Sequence, residues 1–148
     1  MPRELRFKNF GDIRADLAQL EKGPVETTAK WSYFQIISHL TTAVAGSMTG
    51  TKREMPFWKK HIRGPLLYRL FAIRGYIPAG IKGRPSDRIE GNEVEAVAQF
   101  RKALDAFEKY EGPHSDHPIL GPLSKKHWEK FHAMHYANHA RNARLKKN

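Results

Sequence analysis

Apolar residues recur in this chain at helical spacing, in separate segments with their own start and stop signals, and nowhere alternate over any length as a half-buried strand would. A first helix is expected from about Asp12 to Glu21, with Ile13, Leu17 and Leu20 on one face and Gly23-Pro24 to stop it. A second begins after Trp31, with Ser32 as N-cap and Gln35 placed to close a capping box, and runs to about Met48. A third starts from Asn92, with Glu95 again at the capping-box position. Its apolar face is Val97, Phe100, Leu104 and Phe107, and Gly112-Pro113 ends it. Ser124 caps a last helix running to about Leu145. Four long helices without strands predict an all-α chain, a four-helix bundle folded as a single domain over residues 1–148.

The connection between the second and third helices is long and basic. A short helix is expected from Pro65 to about Arg74, because proline suits a first helical turn. An irregular loop through Pro78, Gly80, Gly83 and Pro85 should follow. Between Lys52 and Arg88 ten basic residues face only Glu54 and Asp87, and the chain as a whole carries a net charge of +11. Lys52, Arg53, Lys59, Lys60 and Arg63 are the candidate anion-binding residues of this stretch. A nucleic-acid or anionic-surface binding module is the competing reading, with Trp58, Tyr68 and Tyr76 as stacking groups. No zinc-finger, RRM or KH signature accompanies the charge, which fits a solvated basic surface equally well. The apolar run Ile62 to Ala79 contains Arg63, Arg69 and Arg74 and is broken by Gly64-Pro65, so no membrane span is expected. Met1 to Phe10 lacks the apolar core of a signal peptide, and a cytoplasmic location is expected.

The chain has no cysteine. Disulfides, thiolate ligands and a protein thiol nucleophile are therefore excluded, and any metal must be held by nitrogen and oxygen ligands. Such a donor set suits zinc, nickel, iron or manganese. On the last helix Trp128, Phe131, His132, His135, His139 and Asn142 fall on one face. His135 and His139, one turn apart, can share an ion. On the second helix Tyr33, Ile37, Leu40 and Val44 form an apolar stripe. His39 lies nearly opposite, on a small and polar strip with Ser32, Gln35, Ala43 and Gly46. His39, His135 and His139 are thus the candidate ligands of a divalent metal site, with positions left for water or substrate. Gln35, His132 and Asn142 are candidate partners of those ligands. His132 is also a candidate acid/base, because an imidazole titrates near neutrality. A structural bundle whose histidines are satisfied by hydrogen bonds is the remaining alternative.

Three blocks carry a resemblance. Trp31 to Leu40 reads W-S-x-x-Q-x-x-x-H-L, His117 to Trp128 reads H-P-x-x-G-x-L-S-x-x-x-W, and His135 to His139 reads H-x-x-x-H. Together, with a weaker match at Ile77 to Lys82, they resemble the DinB/YfiT-like superfamily of metalloenzymes, in a bacterial branch without assigned reactions. The resemblance implies an antiparallel bundle, a homodimer, and one metal held by His39, His135 and His139. Relatives of that kind are similar to thiol transferases and isomerases, in which a metal activates a small thiol co-substrate. A metal-dependent transferase or hydrolase acting on a small-molecule substrate is the function it implies. Asn138 stands where the branch has a further histidine and Asn142 where it has glutamine; Ala140 and Ala143 replace larger apolar residues. These departures spare all three ligands and alter what surrounds them.

Overall fold

The computed structural model describes residues 1–77 and 90–147. Its order is α1 (Phe10–Leu20), β1 (Val25–Thr27), α2 (Tyr33–Gly46), a π-helical turn (Lys59–Arg63), α3 (Gly64–Arg74), α4 (Glu93–Lys109), β2 (Asp116–His117), β3 (Gly121–Pro122), α5 (Lys125–Ala140) and β4 (Ala143–Leu145). The protein is an all-α helical bundle in which α1 and α2 each pack against both α4 and α5. The long connection thus brings α4 alongside α2, as its length suggested. The loop expected through Pro78, Gly80, Gly83 and Pro85, and most of the Ile77 to Lys82 run, lie outside the described residues.

The caps fall where the side chains dictated. Ser32 accepts from the Gln35 N–H while the Gln35 side chain accepts from the Ser32 N–H, a reciprocal capping box that starts α2. Asn92 accepts from the Glu95 N–H and Ser124 from the His127 N–H, which starts α4 and α5. Asn9 does the same for Asp12, so α1 begins two residues earlier than its periodicity indicated. The core is made where the faces meet: Phe10, Ile13 and Leu17 of α1, Ile37 and Leu40 of α2, Phe100, Leu104 and Phe107 of α4, and Met134 and Tyr136 of α5 are all essentially inaccessible.

Two short antiparallel pairs correct the strand-free expectation. The last helix does not reach Leu145. It stops at Ala140, and Ala143–Leu145 turns to pair with Val25–Thr27, with Glu26 opposite Arg144 and an ion pair between them at 2.7 Å. The second pair, β2 with β3, makes a small hairpin whose backbone lies hard against the start of α3. A Cβ added at Gly64 would sit 2.3 Å from the Leu120 carbonyl oxygen. Gly64→Ala must push that hairpin outward, and a loss of about 1–3 kcal/mol in chemical denaturation is expected, as for other overpacked sites. A loss below about 0.5 kcal/mol would show that the hairpin is not seated on the helix.

Around α3 large apolar side chains face solvent. Ile62, Leu66 and Ile73 are 60%, 66% and 85% exposed, beside Phe57 and Trp58. Among the described residues no helix is long and apolar enough to cross a membrane.

Candidate metal centre

The second helix and the last supply three histidines to one point. The Nε2 atoms of His39 and His135 lie 3.1 Å apart, and those of His139 and His135 also 3.1 Å. One ligand nitrogen from each ring falls within 4.8 Å of the others. Two nitrogens bound to one tetrahedral ion at about 2.0–2.1 Å stand about 3.3 Å apart, so small rotations of the rings would seat an ion between them. Three imidazole nitrogens converging on one another, with His135 central, form an awkward hydrogen-bond set and a natural nitrogen donor set.

Aromatic rings fix the three histidines. Trp31 stacks on His139 with ring centres 5.0 Å apart and meets His39 edge-on at 5.1 Å. Phe131 stacks on His135 at 5.5 Å. Burial holds His139 down to about 4, helped by nearby His39. Burial also holds His135 well below its ordinary value, with His139 and His39 adding to the effect. Both rings are therefore neutral at pH 7, the form that binds metal.

The triad opens onto a cavity of about 540 Å³. Ala43 and Gly46 of α2 line it, as the small strip opposite the apolar stripe suggested, together with Trp128, Phe131 and Asn138 of α5. Its other wall comes from the segment after α2 and from the β2–β3 hairpin, including Arg53, Asp116 and His117. Spacing on the helices gave no sign of this second wall. The block from His117 to Trp128 entered only as a resemblance, as the approach to the last helix.

The candidate partners of the ligands are dispersed. Gln35 serves the α2 capping box. Asn142 is not on the helical face, because α5 has already ended. It sits in the following turn, where its carbonyl accepts from the Thr28 N–H at 2.8 Å, and it borders a small cleft with His139 and Trp31. His132 points into the core and is only 2% exposed. Ser47 Oγ donates to the Val44 carbonyl, so the His132 Nε2–H donates to Ser47 Oγ at 3.0 Å. Trp128 stacks on the His132 ring at 5.1 Å. The ring is thus held as a structural element away from the cavity.

Of the five basic candidates only Arg53 lines the cavity. Lys52 donates to the His114 carbonyl at 3.0 Å. Lys59 and Arg63 lie over the Trp58 ring at 5.5 and 5.6 Å. Tyr68, offered above as a stacking group, is buried against His127 with ring centres 4.4 Å apart.

Burial also lowers His117 to about 4, with Arg53 adding to it, and His132 to about 3. In the unfolded chain these imidazoles take up protons from about pH 6.5 downward; in the fold they stay neutral to about pH 4. The unfolded state binds more protons in that window, so stability falls as the pH falls through it. Urea midpoints of metal-free protein should be flat above pH 7 and drop steadily from pH 6.5 to 4. A flat profile would mean that these rings are solvated.

A helical bundle presenting three converging histidines to one cavity is the class that fold and site define. The chain matches, over residues 1–146, the family described as "Protein of unknown function (DUF1569)", and it belongs to that family. No curated protein and no solved structure matches it.

Proposed function

We propose that this protein is a metalloenzyme of the DinB/YfiT-like kind, in which His39, His135 and His139 hold one divalent ion at the end of a substrate cavity. The observation that carries the reading is the approach of three ligand nitrogens to within 4.8 Å of one another at the wall of that cavity. Zinc, nickel, iron or manganese fits a site of neutral imidazoles. When bound, such an ion supplies Lewis acidity that lowers the pKa of a thiol or a water, which suits thiol transfer or hydrolysis. The chain's own contribution is to keep His135 and His139 neutral by burial, to lock their rings against Phe131 and Trp31, and to leave the remaining side facing the cavity.

The test is elemental analysis of untagged protein, with chelator-stripped protein reloaded with zinc or nickel beside it. About one ion per chain, with a melting temperature raised by reloading, is expected. No metal after loading and no shift in melting would leave the bundle as a scaffold or a binding module. Nucleic-acid binding that falls steeply with salt and ignores chelators would favour the competing reading.

A further inference from the structure

The cavity wall facing the histidines carries a polar centre of its own. Asp116 anchors it and is only 2% exposed. One of its carboxylate oxygens accepts from the Arg53 backbone N–H at 3.1 Å, and its other oxygen meets Lys52 Nζ at 3.6 Å. The Asp116 carbonyl accepts from Arg53 Nε at 3.2 Å. Lys52 therefore matches the Asp116 charge, and among the described residues that line the cavity the Arg53 guanidinium is the surplus cation.

Beside it, His117 has its tautomer set by the backbone. Its Nδ1 accepts from the N–H groups of Ile119 and Leu120 at 3.1 and 3.0 Å, which places the ring proton on Nε2. Burial, with Arg53 adding to it, keeps the ring neutral, so it offers this single donor. Among the described residues no protein acceptor is paired with that N–H. The Phe131 ring spans the gap between the two centres, 4.6 Å from the His117 ring and 5.5 Å from the His135 ring. Phe71, Ile77, Ile119 and Leu120 add an apolar stretch to the lining, next to the hydroxyls of Thr49, Thr51 and Ser115.

We propose that the cavity takes a small carboxylic acid with an apolar body, its carboxylate held by the Arg53 guanidinium and the His117 Nε2–H and its other end directed to His39, His135 and His139. The planar guanidinium matches a carboxylate, and one cation balances one negative charge. A phosphate would bring a second negative charge next to Asp116, and among the described residues that line the cavity no further cation meets it. The inference rests on the proposed function only for what the far end of the ligand meets; the carboxylate clamp is independent of any metal.

The test uses the full-length, metal-free protein and three probes of equal chain length: pentanoate, pentanamide and pentyl phosphate. Binding is read by calorimetry and by tryptophan fluorescence, to which Trp128, with its ring 5.6 Å from His117, contributes. Pentanoate should bind about tenfold more tightly than pentanamide, the effect of one charge-assisted contact, and more tightly than pentyl phosphate. Arg53→Gln should erase that preference, and Lys59→Gln, on the same basic stretch but outside the cavity, should leave it intact. Equal binding of acid and amide, or no binding of any probe, would overturn the clamp, as would a preference that survives Arg53→Gln. A preference lost equally in Lys59→Gln would reduce it to diffuse charge attraction. Tighter binding of pentyl phosphate would replace it with a phosphate site. Because the titration is done without metal, a missing metal centre and a missing clamp give separate results.

Discussion

Replacing His135 with alanine is expected to reduce bound metal from about one ion per chain to near none, while the helical far-UV signal is retained. His135 is the middle one of the three histidines that could hold an ion: its Nε2 is 3.1 Å from that of each partner, and without it only His39 on α2 and His139 on α5 remain. Loss of a residue that merely orients a ligand costs roughly 10–100-fold in affinity, and loss of a ligand costs more. At a free ion concentration about 1,000 times the dissociation constant, binding stabilises a fold by about 4 kcal/mol. Zinc should therefore raise the melting temperature of the wild type and leave that of His135→Ala unmoved. Equal metal content in the two proteins would place the ion elsewhere on the chain.

Arg3→Ala is expected to remove about 3 kcal/mol of stability, the range found when one partner of a buried ion pair is deleted. Asp16 on α1 is 7% exposed, and its carboxylate accepts from both terminal nitrogens of the Arg3 guanidinium and from the Tyr136 hydroxyl at 2.9 Å. The same guanidinium donates to the Ala140 carbonyl at 2.9 Å, at the end of α5. Without Arg3 the carboxylate stays in the core with one neutral donor. Arg14, which pairs with the half-exposed Asp105 and Glu108, is the internal control, and its alanine variant should lose less than about 1 kcal/mol. Urea denaturation of both variants checks the contrast. Similar small losses would mean that water reaches Asp16 once the arginine is gone.

How much of this was legible in the sequence follows from how local each signal is. Ser32, Asn92 and Ser124 announce α2, α4 and α5 because a cap is satisfied by the backbone two or three residues ahead of it. The histidines were legible because helical phase puts His135 above His139 and sets His39 opposite the apolar stripe of α2. The end of α5 was not legible. Ala143-Arg144-Leu145 continues a helical composition, and what ends the helix is pairing with Val25–Thr27, more than a hundred residues earlier in the chain. Asp16 reads as a surface residue of an amphipathic helix until Arg3 and Tyr136 are known to meet it. Arg53 and His117 lie on irregular segments, where no periodicity shows which side chains share a wall. His132 was placed on the right helix, but its phase could not tell the cavity from the aromatic box around Ser47.

The β1–β4 ribbon has a mechanical consequence. It joins the segment just before Trp31 to the segment just after His139, and those two rings stack on each other at 5.0 Å. Fraying of the ribbon and loosening of the His139 ring are then one motion, and whatever tightens that ring should zip the ribbon. Amide protons of Thr28 and Lys146, which bond to the Asn142 and Pro24 carbonyls at its two ends, become reporters of ligation in hydrogen exchange, slow in loaded protein and fast in stripped protein.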